Sequence, residues 1–255
     1  MKNISLENNI NKIKEEISST LCEIGFENDP GSILYSADST LKKGKYYFLG
    51  ENPGGHSDEG LEKHADTILN QLYRKNSSSS FNEYFDARWK PRNTIYSPGM
   101  APLQKRIKFL FDYLEINLRN TLSTNLNFVR SNQMKNFPYN KNQAAEKCWK
   151  IHKLLLSTVQ PATILVFGSN AYEFIQKKMN IEAFEDIDIY SIGDKERKRF
   201  SCSQGSLLLD NIELNNLQLV KVPHLSYLKI DSKGMDYGDA HDTREVLKWV
   251  KGKVA

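Results

Sequence analysis

Apolar residues recur at intervals of three and four near the start of the chain, at Ile10, Ile13, Ile17, Leu21 and Ile24, and this stripe predicts an amphipathic helix packed on a core. The period then changes. Lys45-Tyr46-Tyr47-Phe48-Leu49 is a continuous aromatic and apolar run stopped by a turn rich in glycine and proline, which predicts a short buried strand. A helix is expected from Gly60 to Tyr73, after which four serines, Ser77 to Ser80, open a polar excursion to about Pro102, read as an exposed insertion near the functional face. Leu103, Ile107, Leu110, Phe111, Leu114 and Leu118 form a second helical stripe, followed by a strand over Thr124 to Val129. A third helix is expected from Gln143 to Val159, with Cys148, His152, Leu155 and Val159 on its apolar side and Pro161 after its end. Thr163 to Phe167 is β-rich and free of charge, and Gly168 closes it before a helix near Asn170. Asp186 to Leu219 reads as a meandering region, Leu217 to Val222 as the last strand, and Asp239 to Val250 as a closing helix.

Buried strands alternating with helices predict an α/β fold, a three-layer α/β/α arrangement around a central, mainly parallel sheet. No repeat or linker divides the chain, so residues 1–255 are expected to form one domain, with 1–44 a helical flank and 76–102 an insertion. Its 255 residues are 39% hydrophobic, enough for one large core, and the net charge of +4 permits a polyanionic partner without requiring one. No apolar run approaches the roughly 20 residues of a membrane span, and the Asn-rich start lacks the apolar centre of a signal peptide. Cys22, Cys148 and Cys202 have no paired spacing, which argues against a disulfide framework or a cysteine-only metal site. His56, His64, His152, His224 and His241 show no ligand spacing either. A reduced, cytoplasmic, monomeric protein without a cofactor is the expectation.

Ligands of open parallel sheets sit beyond the carboxyl ends of the strands, so the residues that follow each strand matter most. After the first stands Gly50-Glu51-Asn52-Pro53-Gly54-Gly55, where glycines permit close backbone approach and Pro53 restricts Asn52, a stiff mount for a side chain that positions water or substrate. An ordinary Asn-Pro-Gly turn is the alternative, and the spacing is not that of a phosphate loop. At the second strand, Asn125 offers both the donor and the acceptor needed to read the edge of a base, though asparagine is also common at strand ends. After the last come His224, Leu225, Ser226, Tyr227, Leu228 and Lys229: an imidazole, a hydroxyl, large apolar groups and a cation in one turn.

Taken in order, these segments resemble the uracil-DNA glycosylase superfamily. Gly50 to Gly54 matches its Gly-x-Asn/Asp-Pro-Gly/Tyr loop; His224-Leu225-Ser226 is similar to its His-Pro-Ser loop with Leu225 for proline. Thr124-Asn125-Leu126 and Pro161 to Ala171 are similar to its middle segments, and the likeness spans about residues 45 to 230. The branch closest in spacing carries an iron-sulfur cluster, but only Cys148 stands where a ligand is expected and Val129 replaces another, so no cluster is expected here.

The resemblance implies a monofunctional DNA glycosylase that flips a nucleotide out of the stack and hydrolyses its glycosidic bond, leaving an abasic site. It implies that Asn52 orients water and His224 donates to the departing base. Gly50, Glu51, Pro53 and Gly54 would line the base pocket, Asn125 would pair with the base edge, and Tyr96, chosen over Phe81, Phe85 and Trp89, would stack on it. Tyr227 or Leu228 would wedge into the vacated space while Ser226 and Lys229 hold phosphates of the DNA partner. Gly54, where strict uracil enzymes carry a tyrosine, implies room for a substituent at carbon 5. Repair of uracil and removal of a bulky modified pyrimidine, as from phage DNA, therefore both remain open. A non-catalytic DNA-binding module of the same fold is the alternative, with the basic stretches Lys105-Arg106, Lys108 and Lys195 to Arg199 as phosphate contacts in either case.

Overall fold

The computed structural model describes residues 2–55, 66–74, 80–90, 94–190, 197–225 and 240–255. The first helix, α1 (Lys2–Ile24), buries Ile13, Ile17, Leu21 and Ile24, the stripe the sequence predicts, and Gly25 at φ +76° ends it. The chain continues through β1 (Tyr46–Gly50), α2 (Ile68–Arg74), the single turn α3 (Glu83–Asp86), α4 (Pro102–Tyr113) and β2 (Leu122–Asn125). Then follow α5 (Lys141–Val159), β3 (Thr163–Phe167), α6 (Ser169–Gln176), β4 (Asn180–Tyr190), β5 (Arg197–Leu208), β6 (Glu213–Val222) and α7 (Ala240–Val254).

Six strands form one mixed sheet in the order β2-β1-β3-β6-β5-β4. β2, β1, β3 and β6 run parallel; β5 and β4 extend the sheet antiparallel. Alternation along the central strands feeds two cores. Tyr47, Leu49, Ile164, Val166, Leu217 and Leu219 face a layer formed with α1, α5 and α6. Phe48, Leu165, Phe167, Val220 and Val222 face the opposite layer with α4 and α7. Burial on both faces is why these strands read as unbroken apolar runs. Phe48, fully buried between Tyr84, Phe111 and Phe167, is the hinge of the second core, and its truncation to alanine is expected to cost about 3–5 kcal/mol. The Asn140 side chain caps α5 by accepting from the Asn142 and Gln143 N–H groups, and Gln160, in the left-handed region at φ +49°, ends it before Pro161.

Three expectations need correction. The strand at residue 124 starts at Leu122 and leaves the sheet after Asn125; residues 126–129 are buried instead by packing between the 30–34 segment and the loop after β1. Within Asp186 to Leu219, long antiparallel strands replace the expected meander. β4 is hidden in the sequence because it is an edge strand with exposed faces, where Glu182, Glu185, Asp186 and Asp188 break any apolar alternation and discourage edge pairing, and β5 because Ser201, Ser203 and Ser206 stand among its buried residues. The excursion after Ser80 is only in part the exposed loop expected: residues 94–98 are largely exposed, but the stretch before them is tied to the core. Asn82, Glu83 and Tyr84 are buried, and Gln104 of α4 pins the segment through Nε2 to the carbonyls of Glu83 (2.7 Å) and Ala87 (2.9 Å). No described helix is long and apolar enough to cross a membrane.

Candidate functional site

The carboxyl ends of β1, β2, β3 and β6 come together, and their neighbours dictate their residues. A Cβ on Gly50 would lie 2.2 Å from Asn125 Oδ1 and 2.8 Å from Phe167 Cζ, so only glycine lets the Asn125 amide and the Phe167 ring close over the end of β1. Beyond Gly50 the exits of β1 and β2 remain stitched together: Leu126 N–H donates to Gly50 O and Asn127 N–H to Glu51 O, each at 2.9 Å, and Ser131 N–H to Pro53 O at 3.0 Å. Asn52 completes the clamp, its Nδ2 donating to Pro53 O (2.9 Å) and Ser131 O (2.8 Å).

His224, two residues past β6, packs on Phe167 with ring centroids 5.2 Å apart, and burial depresses its pKa, favouring the neutral imidazole. Gly168, at φ +110°, lies between it and Glu51: a Cβ there would be 3.7 Å from His224 Cδ2 and 3.9 Å from Glu51 Oε2. The carboxylate brought towards the imidazole is thus Glu51, whose Oε1 accepts from Asn170 Nδ2 on α6. Asn125 is 2% exposed, and its Nδ2 reaches no partner among the described residues; Asn127 Oδ1 is in the same position. Tyr35 stands beside Asn125: burial pushes its hydroxyl up, the charge of Arg130 opposes that, Glu83 adds to it, and the Asn125 side chain, near the hydroxyl but outside good hydrogen-bond geometry at Nδ2, opposes it weakly. Trp89 packs edge-on against Tyr35 at 6.4 Å and donates to Glu83 Oε2.

Pro53 is buried, and Gly54 is exposed with open space where a Cβ would stand. Tyr96 is tied to Trp89 through the backbone, N–H to O at 2.9 Å, and Phe85 lies under Arg119 and Lys108. The aromatic ring set against His224 is Phe167, which the sequence reading passed over as ordinary strand. Leu225 turns into the second core and accepts from Arg106 Nη1 at 2.7 Å, while Lys108 holds Gly99 O; both cations brace loops. Ser226, Tyr227, Leu228 and Lys229 lie outside the described residues, as do Lys195 and Glu196 of the later basic stretch.

His152 is structural: its Nε2 faces Leu126 O (3.1 Å), its Nδ1 the Tyr47 hydroxyl (2.8 Å), and burial pushes its pKa down to about 4. The neutral ring accordingly donates from Nε2 and accepts at Nδ1. Burial also pushes the Cys148 thiol up to about 12. Among the described residues no group of three or more His, Cys, Asp or Glu side chains is placed to hold a metal ion. Tyr35, Arg130, Phe167 and Asn170 are site residues the sequence reading missed. Only Phe167, the ring immediately before a strand-ending glycine, carried a local signal. No family model matches the chain, and no curated protein matches it.

Proposed function

We propose that the protein is a DNA glycosylase of uracil-DNA glycosylase type, hydrolysing the bond between deoxyribose and a flipped-out uracil or 5-substituted pyrimidine. The observation that carries this reading is the convergence, at four strand exits of one sheet, of a buried amide whose Nδ2 lacks a hydrogen-bond partner among the described residues (Asn125, beside the Tyr35 hydroxyl), a neutral imidazole on an aromatic ring (His224 on Phe167) and a carboxylate near the same glycine (Glu51).

In the reaction, the bond from C1′ to the base nitrogen breaks and the base takes the electron pair. The His224 N–H donates to the charge developing on a base oxygen, a fixed donor of the kind worth roughly 10²–10³ in rate. Asn125 Nδ2 donates to the base edge, and Phe167 supplies apolar surface beside it. Water adds to C1′ and its proton passes to Glu51. Asn52 is spent through Nδ2 on holding the loop, which leaves Oδ1 to orient that water; an amide is no base, so the carboxylate next to it does the proton transfer. The open space at Gly54 favours a base with a substituent over strict uracil selection.

The test is incubation of the full chain with oligonucleotides carrying uracil, a thymine mismatch, hydroxymethyluracil, hydroxymethylcytosine or its glucosylated form, with released base identified by mass and abasic sites by alkali. Release that disappears in His224→Ala while DNA binding persists supports the reading. Binding without release from any substrate replaces it by the non-catalytic DNA-binding module.

A further inference from the structure

Arg130 takes no part in the chemistry above, yet its surroundings call for a partner that the described chain does not supply. Its backbone is held on two sides, by its own N–H on Pro30 O (2.8 Å) and by the Ser131 N–H on Pro53 O (3.0 Å). The side chain therefore leaves from the seam between the 30–35 segment and the loop after β1. Nη1 donates to Gly54 O, whereas Nε is closed off from solvent and reaches no acceptor among the described residues.

Other arginines show what is missing. Arg119 forks onto both oxygens of Asp86 at 2.7 and 2.9 Å, and Arg199 lies 3.1 Å from Asp188 and 3.5 Å from Asp186. Among the described residues no carboxylate forms an ion pair with Arg130. A half-buried guanidinium with a closed-off N–H carries a desolvation cost that an anionic acceptor offsets best. Its charge acts on the Tyr35 hydroxyl, which the Asn125 side chain also touches. Asn125 Nδ2 and Asn127 Oδ1, on the same strand exit, are likewise buried without hydrogen-bond partners among the described residues. Gly54, exposed and with nothing within 4 Å of a Cβ position, leaves an approach open.

We propose that Arg130 is the anion-binding residue of this pocket, receiving on the guanidinium arms that Gly54 leaves free an oxygen of a phosphodiester flanking the flipped nucleotide or of a carboxylate carried by its base. The ligand's identity as a nucleotide in DNA rests on the glycosylase reading; the need for an anion does not.

The test compares the wild-type chain with Arg130→Gln, which keeps a donor for Gly54 O and removes the charge, after urea unfolding has established that both are folded. With an oligonucleotide carrying one uracil, wild type is expected to bind about tenfold more tightly, and Arg130→Gln to lower the salt slope by about one. Replacing the phosphate next to the uracil by a methylphosphonate abolishes that difference if the phosphodiester is the source. A difference seen with 5-carboxyuracil and absent with uracil assigns the base-borne carboxylate. Equal affinities and slopes for the two chains on every oligonucleotide overturn the proposal. Release of base with no dependence of binding on Arg130 overturns the anion site alone; Arg130-dependent binding without release overturns the glycosylase reading alone; no binding to any oligonucleotide overturns both.

Discussion

The two ends of the sheet treat their polar groups differently. In the antiparallel extension, Arg199 sits between Asp186 and Asp188, Lys253 reaches Glu185 at 2.7 Å, and the Tyr172 hydroxyl meets Ser203 Oγ at 2.7 Å. Gln176 Nε2 also donates to Ser203 Oγ, and the Cys202 thiol donates to Gln218 Oε1. At the carboxyl ends of the parallel strands, Asn125 Nδ2, Asn127 Oδ1 and Arg130 Nε are buried without partners among the described residues. A buried polar group left unpaired costs about 1–3 kcal/mol. The extension pairs these groups within the chain, and the strand exits leave theirs open, as the proposed ligand site requires. The two histidines differ in where they stand. His152 has both ring nitrogens engaged within the core, while His224 sits at a strand exit facing a carboxylate across a glycine.

That division can be broken most severely at the strand exits. His224→Ala is expected to slow base release by roughly a hundredfold to a thousandfold with DNA affinity retained, read in single-turnover assays. Because burial lowers its pKa, the working form is the neutral imidazole, so release should not fall as pH rises from about 6 to 8, as it would if imidazolium were the donor. Glu51→Gln should cost about a hundredfold, the low end for loss of a general base. Next comes Gly50→Ala, whose methyl must displace Asn125 and Phe167; about 1–3 kcal/mol of stability is expected to be lost by urea denaturation, along with base release. The structural histidine gives a graded effect of similar size. With its folded pKa at about 4, below the unfolded value, the unfolded chain binds the proton more readily; stability is intact above about pH 6.5 and falls by roughly 3 kcal/mol as pH drops to about 4. His152→Gln should be less stable overall but lack that acid slope. Arg199→Ala, in the satisfied extension, should change neither DNA affinity nor base release, and an effect on either would blur the boundary drawn between the two ends.

What the sequence disclosed follows from how far each signal reaches along the chain. Thr163–Phe167 is found where the apolar run predicts it, because a strand buried on both faces needs no partner to explain its composition. Gly50 and His224 were legible as strand exits for the same reason, whereas Asn125 stood near the start of an expected strand that in fact ends there. β4 was not legible, since an exposed edge strand has no apolar face to betray it, and neither was β5, whose buried positions include Ser201, Ser203 and Ser206. Tyr35 and Arg130 were invisible because their meaning is tertiary: one lies on a segment joined to β2 by isolated bridges and side-chain hydrogen bonds, the other five residues beyond the end of β2. The stiff mount of Asn52 is local and legible, whereas the Ser131 carbonyl that claims its Nδ2 is far along the chain.

The unpaired amide of Asn125 also turns heat into an assay. Any molecule that satisfies it must bind the native chain and not the unfolded one, and so raises the melting temperature in proportion to its affinity and concentration. Nucleobases and nucleosides can therefore be ranked by how far each lifts the melting curve, before any catalytic activity has been detected.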